Sequence, residues 1–379
     1  MRLPGSSEGA ESFVVRDEAV GGEEVNPSLN NFDLIRLFAA TQVAILHTAG
    51  YMGSEEMSSP LFEFLGLFPG VPIFFFVSGF LITRSFERNS ALREYTRNRV
   101  LRIFPALHVC VLLNILFVAG TGYFAVHGVT ALQILELYAA KTTFLQFYNP
   151  DFMRGFGDGV LNGSLWTICV ELQFYFLVPI IYALAVTENR QRTLAVLGAA
   201  LVMSLVCNRV LYWSEAEYRA TTLWKLARVS FLPWIYMFIA GMLAQRHFQS
   251  LIGWLGSKWK WAIPVLYVGL ASVVGQQGGR LDNGVGPLLF FPLAAAVIVF
   301  AYSNVSLASR TLSGNDISYG IYIYHMPIVN MFLFYGGLGT FRVIEVSVLT
   351  VVFSAASWLL IERPALRRKK HPMHPAGQG

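Results

Sequence analysis

Residues 31–51, NFDLIRLFAATQVAILHTAGY, hold three ionisable side chains within an otherwise apolar run. The apolar part, 34–51, approaches the roughly 20 residues that a helix needs to cross the hydrocarbon core of a bilayer. The whole chain fits that setting, since 55% of its 379 residues are hydrophobic and only 13% are charged, against roughly 25% charged in a soluble domain. This composition excludes a disordered chain, a collagen and a coiled coil. We therefore predict an all-α, polytopic membrane helix bundle.

Apolar windows of similar length recur along the chain, and together with the first they predict about ten membrane spans. They lie at 34–51, 64–84, 104–125, 165–186, 193–213, 230–247, 261–276, 286–304, 317–335 and 341–361. An even number of crossings places both termini on one side. That side is predicted to be cytoplasmic, because most of the 28 Lys and Arg residues fall there. The predicted organisation is a disordered cytoplasmic tail, a transmembrane domain and a basic cytoplasmic tail, at 1–30, 31–366 and 367–379.

The first predicted span places its ionisable residues at helical spacing. Arg36 and His47 share one helix face, because eleven steps of 100° come to about three turns, and they are roughly 16 Å apart along the axis. Ionisable residues inside a membrane usually mark functional sites, and histidine titrates near neutrality. We therefore predict that His47 transfers protons. Asp33 can lie beside Arg36 and lower the cost of that cation, although Asp33 equally fits a plain helix end.

Six arginines lie between positions 84 and 102, and Arg99 and Arg102 among them have i,i+3 spacing. On charge alone, such a run is most simply a topology anchor near anionic lipid headgroups. Arginine also grips phosphates in a fork geometry. A second interpretation is therefore that Arg99 and Arg102 bind a phosphorylated cytoplasmic ligand, such as an acyl carrier nucleotide.

The fourth predicted span begins within the run GSLWTICVELQFY at 163–175. Glu171 stands about two turns into this span, where a carboxylate is costly without a partner. Trp166 and Tyr175 fit interface aromatics or core filling as well as a substrate site.

Near the C-terminus, the run ISYGIYIYHMP at 317–327 places His325 just before a proline. This histidine fits a polar network, a substrate contact or a packed core residue equally well. Glu362 is followed by Arg363 and Pro364, and a helix stop is a sufficient explanation for it.

These motifs occur in the order seen in a known family. They are Phe32–Arg36 leading to His47, Val71–Ile82 (VPIFFFVSGFLI), Arg102–Pro105, Ser164–Tyr175, Ser318–Pro327 and Glu362–Pro364. Over residues 31–366 the chain resembles the acyltransferase 3 family of integral membrane O-acyltransferases. The resemblance implies transfer of an acyl group, most often acetyl from acetyl-CoA, to a hydroxyl of a carbohydrate or glycoconjugate acceptor.

The resemblance also implies roles for single residues. Arg36 and His47 match the pair associated with acyl transfer in that family, and Arg99 and Arg102 match its donor-handling arginines. We expect His47 to act as base or acyl carrier, with Glu171 or His325 orienting it or binding the acceptor. The predicted catalytic residues are His47, Arg36 and Glu171. The predicted donor residues are Arg36, Arg99 and Arg102, and the predicted acceptor residues are Asp33, Trp166, Tyr175 and His325.

The chain departs from the family pattern at several positions, and these leave the acceptor's identity open. Thr, Cys and Leu occupy the run around Glu171 where Ser, Ala and Glu are usual, and Tyr and Met flank His325 where Trp is common. No metal is predicted, because the three cysteines are dispersed and no two histidines lie four apart in one predicted helix.

A different class remains open from the residues alone. A proton-coupled transporter of a small polar or lipid-linked substrate would use the same buried charges as a relay, and it would move substrate without consuming CoA. The expected partners are acyl-CoA, a carbohydrate or glycoconjugate acceptor and the lipid bilayer. No nucleic acid is expected, because the net charge of +5 is explained by cytoplasmic loops. The predicted location is a bacterial inner membrane.

Overall fold

The computed structural model describes residues 30–53, 59–187, 189–255, 260–274, 284–303 and 305–369, and all regular secondary structure within these ranges is helical. The helices are α1 (Phe32–Met52), α2 (Pro60–Gly66), α3 (Gly70–Arg88), α4 (Leu92–Gly120), α5 (Tyr123–Val126), α6 (Ala131–Lys141), α7 (Trp166–Leu184), α8 (Arg190–Trp213), α9 (Glu215–Tyr218), α10 (Thr222–Arg228), α11 (Ile235–Arg246), α12 (Phe248–Leu255), α13 (Ala262–Val274), α14 (Pro287–Tyr302), α15 (Leu307–Leu312), α16 (Ser318–Phe334), α17 (Thr340–Ser357) and α18 (Arg363–Leu366). Two 3-10 turns, Asp151–Met153 and Gly163–Leu165, precede α7, and a π-helical turn, Trp358–Glu362, follows α17. The all-α prediction is confirmed for the described residues.

Within the part of the chain that the structure describes, five helical stretches are long and apolar enough to cross a membrane, namely Pro60–Arg88, Leu92–Gly120, Gly163–Leu184, Gln191–Trp213 and Thr340–Leu366. Each of the ten predicted spans overlaps a helix, but several of these helices are shorter or carry charges. The number of crossings and the cytoplasmic location of the termini stay predictions. The two predicted tails lie almost wholly outside the described residues.

Helix α4 begins earlier than the apolar pattern indicates. The third span was predicted from residue 104, whereas the helix starts at Leu92. Arginine is a good helix former, so the arginine-rich segment continues the helix instead of forming a loop. Arg99 and Arg102 therefore project from the same rigid element.

The chain divides into two compact units that are interleaved in sequence. Among the described residues, the first unit comprises 30–32 and those within 72–95 and 174–311, and the second comprises those within 33–71, 96–173 and 312–369. Most of the site residues that the sequence predicts belong to the second unit, and Tyr175 belongs to the first.

In the first unit, α3 and α11 approach each other at a pair of glycines. A Cβ atom built on Gly79 would lie 2.1 Å from the Phe238 carbonyl oxygen, and one built on Gly241 would lie 2.1 Å from that of Phe76. Backbone atoms occupy the space that a side chain would need, so neither position accepts one without the helices moving apart. Small residues commonly permit such close helix contacts in membranes.

A Gly241→Ala substitution is therefore expected to destabilise the protein by about 1–3 kcal/mol, the usual cost of overpacking a close contact. The thermal-unfolding midpoint of detergent-purified protein measures this. Gly253→Ala in α12 is the matched control, because a Cβ there meets nothing within 4 Å. Equal midpoints for the two variants would show that the α3–α11 contact adjusts freely.

In the second unit, a proline inside α16 leaves a backbone carbonyl that accepts hydrogen bonds from neighbouring segments. Pro327 has no N–H, so the carbonyl of Ile323, four residues earlier, loses its usual helical partner. The Asn162 side chain donates to this oxygen at 2.9 Å and the Cys110 thiol at 3.3 Å. Side chains thus replace the missing backbone bond, as a broken helix requires in an apolar setting.

The loop between α6 and α7 is fastened to α16 at further points. The Ser164 hydroxyl donates to the Tyr322 carbonyl at 3.1 Å. The buried side chain of Asn330 accepts from the Asp158 N–H and donates to the Val160 carbonyl, both at 2.8 Å. Helix α16 therefore positions this loop along much of its length.

Candidate active site

Two histidines from distant parts of the sequence meet in the second unit. Nδ1 of His47, on α1, lies 3.1 Å from Nε2 of His325, on α16. Their ring centroids are 5.3 Å apart, and the planes are tilted by 39°. His325 is fully buried, whereas His47 is partly accessible. The accessible histidine is therefore the one that a substrate can reach.

The hydrogen-bond network assigns the protons of this histidine pair. Nδ1 of His325 lies 3.2 Å from the Ile321 carbonyl oxygen, which can only accept, so this nitrogen carries the hydrogen. Nε2 of His325 is then an acceptor, and Nδ1 of His47 must donate to it. The lone pair of His47 is left on Nε2, which suits a base or a nucleophile.

At the start of α1, two arginines share one carboxylate. Nη1 of Arg36 lies 2.9 Å from Oδ2 of Asp316, and Arg102 of α4 bonds to the same oxygen. The three side chains are only 21%, 13% and 10% exposed, in the order Arg36, Arg102 and Asp316. The other carboxylate oxygen accepts from the Ser318 N–H at 3.1 Å and from its hydroxyl. Burial by itself raises the pKa of Asp316, but the two guanidinium groups outweigh it and hold the pKa well below its usual range.

Further cations surround this ion pair. Lys369, beyond α18, lies within electrostatic range of Arg36, Arg99 and Arg102, and burial together with these charges lowers its pKa to about 7. Nη2 of Arg97 donates to the Arg368 carbonyl at 2.7 Å and so attaches this C-terminal segment to α4. We call Arg36, Arg99, Arg102 and Lys369 the cationic cluster.

Glu362, which sequence reasoning explained as a helix stop, adjoins the cationic cluster. It acts electrostatically with Arg102, Asp316 and Arg36. The side chain is buried, accepts from the Ser357 hydroxyl at 3.1 Å, and keeps its second oxygen without a hydrogen-bond partner among the described residues. Its position in a π-helical turn is typical of functional sites. The three arginines alone outnumber the two carboxylates, so the cluster favours an anionic ligand.

The histidine pair and the Arg36–Asp316 ion pair both join α1 to the region of α16. Arg36 and His47 both belong to α1, roughly 16 Å apart along its axis. Asp316 immediately precedes α16, and His325 lies within it. A ligand whose anionic end binds the cluster and whose reactive end reaches the histidines would lie along these helices.

A family model described as an acyltransferase domain matches residues 29–362. The chain belongs to this acyltransferase family. The resemblance inferred from the motifs is thereby confirmed, and family membership favours an enzyme over a transporter.

Relatives cover most of the acyltransferase. It is 32% identical to nodulation protein 10 of Rhizobium leguminosarum over 89% of this chain and 93% of that protein. It is 26% identical to an O-acetyl transferase of Shigella phage Sf6 over 89% of this chain and 96% of that protein. A peptidoglycan O-acetyltransferase of Listeria monocytogenes is 22% identical over 70% of this chain but only 45% of its own length. No solved structure matches the chain.

The structure places the other predicted site residues of the acyltransferase apart from one another. Asp33 is exposed, and no ion pair joins it to Arg36 among the described residues. The expectation that Asp33 neutralises Arg36 is therefore wrong, because Asp316 takes that place. Trp166 is buried in the second unit, whereas Tyr175 lies in the first, where its carbonyl accepts from the Tyr95 hydroxyl at 2.9 Å.

Glu171 lies on α7 and acts electrostatically on the hydroxyl of Tyr319. Tyr319 in turn donates to the Ile103 carbonyl at 3.1 Å, on the helix that carries Arg102. Tyr319 stands six residues before His325 on α16, toward the Asp316 end. Glu171 thus lies near Tyr319, on the Asp316 side of α16. The residue that contacts His47 is His325.

Sequence reasoning missed three residues of the candidate site. Asp316 stands two residues before Ser318 at a helix start, a pattern typical of local capping. That pattern was the one feature of the sequence that could have drawn attention to Asp316. Glu362 stands at the end of a long apolar run. A carboxylate there is costly without a partner, and the same reasoning had singled out Glu171. Lys369 had no sequence signal, because only the packing of the C-terminal segment brings it to the arginines.

Proposed function

We propose that the acyltransferase moves an acyl group, most often acetyl, from acyl-CoA to a hydroxyl of a carbohydrate or glycoconjugate acceptor. The observation that carries this proposal is the pair of His47 and His325, because His47 shares α1 with Arg36 of the cationic cluster. The printed names of the phage and Listeria relatives, both O-acetyltransferases, support an oxygen acceptor. The apolar helices and the bacterial and phage relatives support a multi-pass protein of a bacterial inner membrane.

The cationic cluster fits the donor. Coenzyme A carries phosphate groups at one end and its thioester at the other. Arginine forks bind phosphate oxygens with charge-assisted hydrogen bonds. Lys369 adds a further positive charge, because an anion bound beside it increases the fraction of Lys369 that is protonated. We propose that Arg36, Arg99, Arg102 and Lys369 hold the phosphates, with the acyl end directed along α1 to His47.

The histidine pair fits the chemistry of transfer. The acceptor hydroxyl gives its proton to Nε2 of His47 while its oxygen attacks the thioester carbonyl. The tetrahedral intermediate collapses, the carbon–sulfur bond breaks, and the departing thiolate takes the proton back from His47. In the alternative route, Nε2 itself attacks the thioester, the carbon–sulfur bond breaks and the CoA thiolate leaves. The acceptor oxygen then attacks the acyl group, its bond to Nε2 breaks, and the proton of the hydroxyl passes to the thiolate. In both routes positive charge develops on His47, and the bond from its Nδ1–H to His325 stabilises that charge.

A His325→Ala variant is expected to lower kcat about 10- to 100-fold, the loss of one hydrogen bond to a charged group in the transition state. His325→Gln is expected to recover part of the activity, because its side-chain oxygen can accept from His47. The dependence of the rate on pH separates positioning from structural damage, because removal of the acceptor changes that dependence, whereas a loss of folded protein lowers the rate equally at every pH. A change in KM for acetyl-CoA alone, with kcat and the pH profile unchanged, would show that His325 does not act through His47.

The reaction class is tested directly by following CoA thiol release from acetyl-CoA with purified protein and glycan fractions of the source organism. An acyltransferase sustains CoA release over many turnovers only when acceptor is added, and the acyl-carrier route releases at most one equivalent without it. A transporter would move substrate across vesicle membranes with no release of CoA, and that result would overturn the proposal.

A further inference from the structure

A groove in the first unit lies where α8 and α13 end and α14 begins. Its volume is about 460 Å³, within the roughly 300–1,000 Å³ that is usual for small-ligand sites. Part of its lining is a stripe of α8 from Val202 to Trp213, whose members recur every three or four residues and so share one helix face. Val274, the last residue of α13, and the first turn of α14, which begins at Pro287, complete it. The groove is therefore built from the ends of three helices.

A tyrosine of α11 holds two sides of this groove in place. The Tyr236 N–H donates to the Ser204 hydroxyl of α8 at 3.0 Å. The Tyr236 hydroxyl donates to the Val285 carbonyl, just before α14, at 3.3 Å. Tyr236 is fully buried, so both bonds belong to the interior of the unit. The groove is thus a fixed part of the fold, and a ligand does not have to order its walls.

The groove opens to the outside of the unit, on a surface suited to lipid. Val202, Val206 and Leu288 line it and are exposed. The stretch Gln191–Trp213 is long and apolar enough to cross a membrane, and little of it is buried within the protein. Trp213, at the end of α8, is exposed as well, and tryptophan favours the membrane–water interface. This end of the groove therefore corresponds to the depth of lipid headgroups.

A charged side chain, Arg209, lies among the apolar residues of the groove, one helical turn before Trp213. Its Nε and Nη2 donate to Oδ1 of Asn208, whose Nδ2 donates in turn to the Pro233 carbonyl at 3.0 Å. Its guanidinium carbon lies 5.0 Å from the centroid of the Tyr212 ring. These contacts orient the guanidinium. Arginine has five N–H donors, so it can bind a phosphate in addition to the oxygen of Asn208.

We propose that this groove binds one anionic phospholipid, with the phosphate at Arg209 and an acyl chain along Val206 and Val202. Val202 lies roughly 10 Å from Arg209 along the axis of α8, on the side away from Trp213. Arginine binds phosphate oxygens with charge-assisted hydrogen bonds, and basic pockets between membrane helices commonly hold lipid headgroups. A headgroup with its own ammonium is disfavoured, because Arg209 repels that cation. The site lies in the first unit and does not depend on the proposed function.

Native mass spectrometry of the delipidated full chain in detergent tests the charge selection, with phosphatidylglycerol and phosphatidylethanolamine of the same acyl chains as probes. The parent protein is expected to bind phosphatidylglycerol about 10-fold more tightly, because its headgroup adds no cation beside Arg209. Arg209→Gln is expected to weaken phosphatidylglycerol binding about 10- to 100-fold, as the loss of hydrogen bonds between charged groups implies. Arg219→Gln is the matched control, because Arg219 is exposed and does not line the groove, and its variant should bind both lipids as the parent does.

A second pair of variants tests the position of the acyl chain. Val206→Trp should weaken phosphatidylglycerol binding, because the indole occupies the groove. Met203→Trp should not, because Met203 is exposed on α8 but does not line the groove. Glycerol 3-phosphate, which has the phosphate and no acyl chains, should not displace the bound lipid.

Four results would overturn the lipid site. They are equal binding of the two lipids by the parent protein, unchanged binding in Arg209→Gln, equal effects of the two tryptophan substitutions, and displacement of the lipid by glycerol 3-phosphate. The first would mean that lipid contacts the helices without selection by charge. The last would mean that the ligand is a free phosphate and that the apolar stripe contributes nothing to its binding.

Discussion

Loss of acyl transfer is the expected result of His47→Ala, by about 10²- to 10⁴-fold, the range that a positioned general base contributes. Nε2 of His47 is the nitrogen of the pair left with a lone pair, because its Nδ1 donates to His325. His325 is fully buried and cannot take over the reaction at the accessible position. Alanine fits the helix and removes only the imidazole.

The measurement is mass spectrometry of surface glycans and secreted glycosides from the source organism, with the gene intact, deleted, or deleted and complemented by the variant. An acyl mass that is lost on deletion and not restored by His47→Ala supports transfer through this histidine. The mass and position of the group identify the acyl chain and the acceptor hydroxyl.

His108→Ala is the matched control for this experiment. His108 lies on α4, is exposed, and contacts the Tyr138 hydroxyl at 2.9 Å. Its variant should restore the acyl mass fully. If His47→Ala restores it equally well at equal protein level in the membrane, His47 is not catalytic and the assignment fails.

The second large effect is expected from Asp316→Asn. This change leaves Arg36 and Arg102 facing each other with no shared carboxylate, and breaking a buried ion pair in this way costs about 3–5 kcal/mol. Asparagine keeps an oxygen for the Ser318 N–H, so the start of α16 is retained. The loss of stability therefore measures the contribution of the negative charge. The thermal-unfolding midpoint in detergent should fall well below that of the parent protein.

An anionic ligand distinguishes loss of the ion pair from non-specific destabilisation of the fold. CoA should raise the midpoint of Asp316→Asn by more than it raises that of the parent, because its phosphates supply the negative charge that the variant lacks. Asp33→Asn is the matched control, since Asp33 is exposed and not paired with Arg36, and its midpoint should not change. A drop of equal size in both variants would contradict the ion-pair account.

The same ion pair determines a dependence on pH. The guanidinium groups hold the pKa of Asp316 below its unfolded-state value of about 3.9. Its contribution to stability is therefore complete above about pH 4 and is lost as the pH falls toward the folded-state pKa. Asp316→Asn should remove this part of the acid sensitivity.

The helices could be predicted from the sequence because apolar windows of membrane-spanning length report burial directly. The arginine segment before residue 104 was not predicted to be helical, since apolar content says nothing about a charged helix. His47 was recognisable by its cost in an apolar run, and His325 by its place in a motif. The sequence left open whether Glu171 or His325 contacts His47, because His325 is 278 positions away and only packing brings the two histidines together.

Asp33 and Asp316 show the limit of local reasoning most clearly. Spacing along one helix made Asp33 the natural partner of Arg36. The actual partner stands 280 positions away, where the start of α16 fixes its carboxylate through Ser318. A partner held rigidly by backbone bonds pays less entropy than a flexible side chain at a helix end. Such competition between partners is decided by tertiary structure.

The interleaving of the two units bears on how the protein is made. A ribosome that has reached residue 311 has supplied every segment of the first unit, whereas the second still lacks 312–369. Asp316, His325, Glu362 and Lys369 all belong to that last stretch. Nascent chains and products of premature stop codons therefore cannot assemble either the histidine pair or the cationic cluster. Only a chain that extends through this stretch can therefore form the candidate site.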